Sequence, residues 1–191
     1  MKQYAYCGVN MKILILNGNN QDSTLDDFIS SLSKILESRE CFVSELKLRE
    51  MKFSPCRGCF NCWVKTPGLC VFKDDGDLIC REFIHADLVI LASPVIMGYP
   101  SAIAKNALDR VIPLIHPYLE DIGGEVHHMK RYGSYPELGL LLEKREDTDI
   151  EDIEIISDIF HRSALNLQST LKFLKLTTSS PEEVADAIIN N

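Results

Sequence analysis

The chain has 191 residues, of which 46% are hydrophobic and 25% are charged, a composition typical of one globular domain with a sizeable core. Lys and Arg total 20 against 28 Asp and Glu, and the net charge of -8 argues against binding to nucleic acid or to an anionic membrane surface. The longest apolar run, residues 86–94, is far shorter than the roughly 18 residues that a membrane span requires. The chain has seven cysteines, which is an odd number, and its N-terminal sequence does not resemble a secretory signal. We therefore expect reduced or metal-bound thiols and a cytoplasmic protein.

Continuous apolar segments predict four strands of a parallel sheet that is covered on both faces, at residues 12–16, 88–92, 138–142 and 171–176. Residues 41–48 alternate instead, with Phe42, Leu46 and Leu48 on one side, which favours an edge strand. Helical spacing of apolar residues predicts helices in residues 25–36, 78–86, 103–111 and 153–160, and a last helix begins with proline at residues 181–189. The alternation of strand and helix predicts an α/β three-layer sandwich with a five-stranded parallel sheet in the order 2-1-3-4-5.

One segment departs from this alternation. Residues 118–122 and 125–129 flank Gly123-Gly124, a pair suited to a two-residue hairpin turn. We therefore predict an inserted β-hairpin after the third helix. An isolated two-stranded hairpin needs a surface to pack on, which predicts a homodimer or a higher homo-oligomer. Residues 11–191 then form a single domain, preceded by an N-terminal extension of residues 1–10.

A polar loop joins the first predicted strand to the first helix. Free backbone N–H groups at a helix N-terminus, which carries roughly half a positive charge, favour a phosphate, and Ser23 and Thr24 add hydroxyl donors. The alternative is that Asp22 or Ser23 only caps the helix and that the Asn/Gly run only turns the chain. The candidate phosphate-binding residues are Gly18, Asn19, Asn20, Gln21, Ser23 and Thr24.

A second loop follows the third strand and faces the same crevice, because strands 1 and 3 flank the switch point of this strand order. This loop spans residues 93–100. Its one Gly and two Pro residues fix a rigid backbone, and Ile96, Met97 and Tyr99 supply apolar surface for a heterocycle. The alternative is an ordinary connection in which Ser101 caps the next helix. The candidate residues for contact with a ring are Ser93, Pro94, Val95, Ile96, Met97 and Gly98.

Four cysteines in the pattern C-x2-C-x2-C-x7-C lie between the second strand and the second helix. They are Cys56, Cys59, Cys62 and Cys70. Thiolates three residues apart in a turning loop can converge on one inorganic core, and a later cysteine can complete the four ligands of a cubane cluster. Unmetallated structural or redox thiols and a zinc site are the alternatives. We interpret Cys7, Cys41 and Cys80 as small hydrophobic residues outside this pattern.

Taken together, MKILILNGN (11–19), PCRGCFNCWVKTPGLCVFKDD (55–75) and ADLVILASPVIMGYPSAIAKNALDR (86–110) resemble the NADPH-dependent FMN reductase and iron–sulfur flavoprotein group of the flavodoxin-like superfamily, from residue 11 to about residue 117. The resemblance implies a flavodoxin-like fold, FMN phosphate on residues 18–24 and the isoalloxazine ring against residues 93–98. It also implies a four-cysteine site for a 4Fe-4S cluster, as in the iron–sulfur members.

Three departures from the group bear on the flavin. Asn19, Asn20 and Gln21 stand where Ser-Pro-Arg is usual, and the loss of an arginine predicts weaker FMN binding. Ile96 stands where an aromatic residue is frequent. The third flavin-facing loop that the resemblance implies, residues 143–147, is Glu-Lys-Arg-Glu-Asp rather than the small Gly-rich stretch often seen there.

The leading hypothesis is an FMN-dependent oxidoreductase that takes a hydride from NAD(P)H and passes electrons to a flavin, a quinone or a protein acceptor. We predict no catalytic acid or base, since N5 of the flavin reacts while the protein binds and orients. An iron–sulfur flavoprotein electron carrier is one alternative. The other is a non-enzymatic flavodoxin-like scaffold that has lost FMN.

Overall fold

The computed structural model describes residues 10–190, so the predicted N-terminal extension, except Asn10, lies outside the described residues. The strands are β1 (Lys12–Asn17), β2 (Phe42–Lys47), β3 (Leu88–Ile96), β4 (Tyr99–Pro100), β5 (Ile115–Ile122), β6 (Glu125–Lys130), β7 (Glu137–Glu143) and β8 (Leu171–Leu176). The helices are α1 (Thr24–Ser38), α2 (Asn61–Val64), α3 (Gly76–His85), α4 (Ala102–Asp109), α5 (Ile150–Asn166) and α6 (Pro181–Ile189).

The main sheet is parallel and has the strand order β2-β1-β3-β7-β8, with β4 added antiparallel to the end of β3. Without β4 and the hairpin strands, this is the predicted order 2-1-3-4-5. The alternating segment forms the edge strand β2, as predicted. Because parallel strands end at one edge of the sheet, the connections that follow β1, β3 and β7 lie side by side.

Helices cover both faces of the sheet. Alternate residues of β1 enter different cores: Ile13 and Ile15 pack with residues of α1 and α6, while Leu14 and Leu16 pack with residues of α3, α4 and α5. Strands buried on both faces have no polar side, which explains the continuous apolar runs in the sequence. Within residues 10–190 no helix is both long enough and apolar enough to cross a membrane.

The strand β3 is longer than the sequence indicates. Ser93-Pro94 marks a turn in the sequence, yet β3 continues to Ile96, turns at Met97 and Gly98, and returns as β4. Proline is tolerated because Pro94 stands opposite Glu143, the last residue of β7, where the ladder ends.

The inserted hairpin is confirmed. Strands β5 and β6 form a separate antiparallel pair, and both turn residues have positive φ, 65° at Gly123 and 88° at Gly124. One face packs on α5: Nη1 of Arg162 lies 2.8 Å from Oε2 of Glu125, and the buried His127 ring lies within hydrogen-bond distance of Asn166. The hairpin therefore obtains a packing surface within its own chain.

Candidate functional site

The loop between β1 and α1 is shaped by the cap of the helix. The Ser23 hydroxyl oxygen accepts from the backbone N–H of Leu25 at 3.2 Å and from the side-chain amide of Asn19 at 2.6 Å. The Asp26 carboxylate accepts from the backbone N–H of Ser23 at 3.2 Å, completing a capping box. Ser23, rather than Asp22, is thus the N-cap. The Ser23 hydroxyl oxygen thus accepts two hydrogen bonds. The hydroxyl proton remains available for donation to an anion.

Gly18 joins this loop to the connection between β3 and α4. Its backbone N–H donates to the carbonyl of Ala92 at 2.7 Å, and the Ser101 hydroxyl donates to the Gly18 carbonyl at 2.5 Å. A Cβ at Gly18 would lie 2.7 Å from the Cβ of Ala104, so a side chain is excluded. Ser101 also caps α4. The first loop is therefore fixed against the α4 N-terminus.

Several donors of the first loop remain free. Within the described residues, the backbone N–H groups of Asn20, Gln21, Asp22 and Thr24 donate to no acceptor in the chain. The loop borders an open cleft of about 680 Å³, lined by Gln21, Ser23, Thr24 and residues 143–147. Free N–H groups at a helix N-terminus are the donors that a phosphate uses.

Lys144 and Arg145 line the same cleft and were not among the predicted site residues. They supply the cationic side chains that the first loop itself lacks. The sequence could have indicated these two residues, because they are adjacent basic residues directly after a buried strand. The carboxyl end of that strand lies at the same edge of the sheet as the first loop. The family resemblance implies that this loop faces the flavin, but it assigns no role to the two basic residues.

Glu143 competes for one donor of the cleft. The Thr24 hydroxyl donates to Oε1 of Glu143 at 2.7 Å, and Glu146 and Asp147 add further carboxylates to the lining. The donor set suits the phosphate of FMN, but the phosphate would have to replace Glu143 as the acceptor for Thr24.

The predicted ring-contact residues divide into two groups. Ser93, Pro94 and Val95 are buried in β3, and the Ser93 hydroxyl accepts from the backbone N–H of Ser101 at 2.9 Å. The accessible surface comes from the turn, where Met97 is 91% exposed. The residues of the predicted second loop that can offer side-chain or backbone surface to a ring are Ile96, Met97 and Gly98.

The backbone of this turn is unusual. Met97 has φ 51° and Gly98 has φ 72°, the two successive positive values of a type I′ turn. A non-glycine residue in this region costs roughly 1 kcal/mol, and such outliers concentrate at functional sites. A Cβ at Gly98 would lie 2.5 Å from Oδ1 of Asp152 in α5, so the turn is held against that helix. A strained, exposed apolar tip at the edge of the cleft is therefore a candidate surface for a flavin ring.

The four cysteines of the predicted metal motif border one cavity, together with Arg110. The cavity measures about 30 Å³, which is too small for a cubane cluster. In the described part of the chain no three or more His, Cys, Asp or Glu side chains are arranged to hold a metal ion. Burial, with a smaller effect of the neighbouring Cys70, raises the pKa of the Cys62 thiol. As they lie, these residues do not form a cluster site.

The ends of the cysteine loop are anchored by Asp74. Its carboxylate accepts from both terminal nitrogens of the buried Arg110, at 2.7 and 2.9 Å, and from the backbone N–H groups of Ser54 and Gly76. The hydrogen bond from Arg110 lowers the pKa of Asp74 to about 2. Trp63, in the middle of the loop, donates from Nε1 to the carbonyl of Ile115 at 3.0 Å.

Of the two described cysteines outside the motif, Cys41 is buried and Cys80 is half-buried. Cys41 belongs to the core beneath α1 and α6. Burial raises the pKa of Cys80 to about 12, and its thiol donates to the Arg110 carbonyl at 3.0 Å. Cys7 lies outside the described residues.

The fold is flavodoxin-like. The structure superposes on a putative quinone reductase from Klebsiella pneumoniae with a TM-score of 0.65 at 14% identity, covering 93% of this chain and 82% of that one. An azoreductase from Bacillus anthracis gives a TM-score of 0.62 at 13% identity, covering 94% and 93%. At these identities the likeness shows the fold alone.

The sequence match, unlike the structural likeness, identifies the family. Residues 11–123, more than half of the chain, match the NADPH-dependent FMN reductase family, and the chain belongs to it. An iron-sulfur flavoprotein of Archaeoglobus fulgidus is 32% identical over 102 residues, 53% of this chain and 46% of that protein. Another, of Methanosarcina thermophila, is 28% identical over 105 residues, 54% of each. The matched part thus spans about half the length of these relatives.

Proposed function

We propose that this protein is an FMN-dependent oxidoreductase that takes a hydride from NAD(P)H and reduces a flavin, a quinone or a protein acceptor. The observation that carries the proposal is the cleft at the carboxyl ends of β1 and β7, where free N–H groups of the α1 N-terminus, the Thr24 hydroxyl and two basic side chains line one space. Family membership supports it. So do the names of the structural relatives, which include an NAD(P)H:quinone oxidoreductase of Methanothermobacter marburgensis.

Each part of the site has a separate task. The N–H groups of residues 20–22 and 24, with Thr24, Lys144 and Arg145, would hold the phosphate. The turn at Met97 would support one face of the isoalloxazine ring and leave the opposite face accessible to a stacked nicotinamide. FMN, when bound, supplies the hydride acceptor and can release electrons singly. The chain binds and orients, and it contributes no acid or base to this scheme.

The proposal is tested by titrating the purified protein with FMN and following flavin fluorescence. Anaerobic stopped-flow mixing with NADH and with NADPH then measures flavin reduction. Thr24→Asp introduces a negative charge at the proposed phosphate site and is expected to weaken FMN binding at least about tenfold. Thr178→Asp, at an exposed position after β8, is the matched control and should bind FMN normally.

Three results would contradict the proposal. Unchanged FMN affinity in Thr24→Asp would remove the phosphate from this loop. Loaded protein that neither nicotinamide reduces, but that a ferredoxin-type donor reduces rapidly, would make it an electron carrier. Wild-type protein that binds no FMN would leave the flavodoxin-like scaffold as the function.

One observation favours a second candidate, an iron–sulfur flavoprotein electron carrier: all four motif cysteines border the same cavity. The names of the curated relatives support it. Because the cavity is too small as it lies, the loop would have to open when a cluster enters. Anaerobic reconstitution should then give about four iron atoms per chain. Cys59→Ala should lose most of them, while Cys80→Ala should retain them. Absence of iron from reconstituted wild-type protein would favour free thiols.

We also propose that the protein self-associates through the outward face of the hairpin. Leu119 and Val126 lie on this face and are 58% and 64% exposed, while the other face is occupied by α5. Leu119→Lys combined with Val126→Lys is expected to convert a dimer to a monomer in light scattering. An unchanged mass would exclude the hairpin from the interface.

A further inference from the structure

Arg49 links the turn after β2 to the first loop. It lies in the short 3-10 helix Leu48–Glu50, and its side chain is only 13% exposed. Nη2 lies 2.5 Å from Oδ1 of Asp22, and Nη1 lies 3.0 Å from Oδ1 of Asp26. One guanidinium therefore spans both carboxylates of the loop.

These two carboxylates differ in their surroundings. Asp22 is exposed, whereas the Asp26 side chain is only 14% exposed and is the acceptor around which the loop is organised. Asp26 accepts from the side-chain amides of Asn17 and Asn19, both at 2.9 Å, and from the backbone N–H of Ser23. Burial acts to raise the pKa of Asp26, but these hydrogen bonds and Arg49 together lower it. The surroundings of Asp26 therefore favour its carboxylate form.

This arrangement creates an electrostatic conflict. The helix N-terminus that would receive the phosphate already holds two carboxylates in its first turn, Asp26 and the exposed Asp27, and a third, Asp22, in the preceding loop. A phosphate dianion placed beside two uncompensated carboxylates would be repelled, and repulsion in a partly buried site is stronger than in water. Arg49 is the cation that contacts Asp22 and Asp26.

We propose that Arg49 is a positioning residue for phosphate recognition: it neutralises Asp22 and Asp26 and so allows the first loop to accept the phosphate of FMN. The inference rests on the proposed function. Arg49 acts through the two carboxylates and does not itself need to touch the flavin. Its effect should therefore depend on the charge of the ligand rather than on the flavin ring.

The test compares FMN with riboflavin, which has the same ring but no phosphate. Arg49→Ala should weaken FMN binding about tenfold and change riboflavin binding less than about twofold. Arg49→Lys, which keeps the charge but loses the planar fork, should recover part of the FMN affinity. Arg39→Ala is the matched control, because Arg39 forms a solvent-exposed pair with Asp186 away from the cleft and should leave both affinities unchanged.

A double variant separates charge from structure. Asp22→Asn in the Arg49→Ala background removes one uncompensated carboxylate and should restore about threefold in FMN affinity, with thermal melts confirming that each variant is folded. An equal loss of FMN and riboflavin affinity in Arg49→Ala, or no recovery in the double variant, would overturn the inference while the proposed function stands. Wild-type protein that binds no FMN would overturn both.

Discussion

The phosphate loop (residues 18–24) and the cysteine loop (residues 56–70) both follow the carboxyl end of a strand, yet they are held in different ways. The phosphate loop is fixed at both ends by backbone and side-chain hydrogen bonds, at Gly18 and at the capping box of Ser23. The cysteine loop is anchored by Asp74 beyond its end and by Trp63 in the middle, while its cysteines make no common ligand set.

The difference shows what each kind of site requires. A phosphate is bound by N–H groups whose positions the fold already determines, so the donors are in place before the ligand arrives. A metal cluster is held by side chains that commonly take their final arrangement only with the metal, because binding and local folding are coupled. The first loop is preorganised, and the second would be completed by its ligand.

The largest expected effect is at the anchor of the cysteine loop. Asp74→Asn leaves the buried Arg110 without its carboxylate and should cost about 3 kcal/mol in the free energy of unfolding at pH 7. Asp77→Asn, which removes one partner of the exposed pair with Lys73, should cost less than about 0.5 kcal/mol. Urea unfolding measures both. A cost below that of the control would show that the Arg110 pair does not anchor the loop.

The stability cost of Asp74→Asn should also depend on pH. The pKa of Asp74 is lowered from 3.8 to about 2 in the folded chain, so its stabilising contribution is complete above about pH 4 and is lost as the pH falls towards 2. The stability difference between the wild type and Asp74→Asn should therefore shrink over this interval. A difference that stays constant from pH 5 to about pH 2 would contradict the assignment of the ion pair.

A smaller effect is expected in the phosphate loop. Gly18→Ala places a Cβ against Ala104 and should destabilise the protein by about 2 kcal/mol, with weaker FMN binding in the same variant. Gly133→Ala is the matched control, since a Cβ there meets no atom within 4 Å. If Gly18→Ala melts like the control and binds FMN normally, the close approach of the first loop to α4 is not required.

The smallest effect is expected at Glu143. Glu143→Gln removes a negative charge from the cleft and weakens the competition for the Thr24 hydroxyl, so FMN should bind about threefold more tightly. Fluorescence titration at low ionic strength measures the change, which added salt should reduce. Weaker FMN binding in this variant would mean that Glu143 supports the site rather than competing within it.

Most of the fold follows from the sequence because the central strands are apolar runs and the longer helices repeat their apolar residues at helical spacing. The alternating pattern of residues 41–48 predicts the edge strand β2, and the turn residues Gly123-Gly124 predict the hairpin. The end of β3 is not predictable in this way, because Ser93-Pro94 usually marks a turn and only pairing with β7 and β4 extends the strand to Ile96. Because β3 continues to Ile96, residues 93–95 are buried in the sheet, and the accessible surface of the second loop lies at its turn.

The sequence by itself determined the alternation of strands and helices, the family, and the types of donor available after β1. Only the tertiary structure decided which of these groups meet. Arg49 contacts Asp22 and Asp26, and Lys144 and Arg145 line the cleft of Thr24, because parallel strands bring their distant carboxyl ends to one edge of the sheet. Local sequence determines which chemical groups are present and whether they lie in a strand, a helix or a loop. Contact between residues far apart in the chain depends instead on strand order and register.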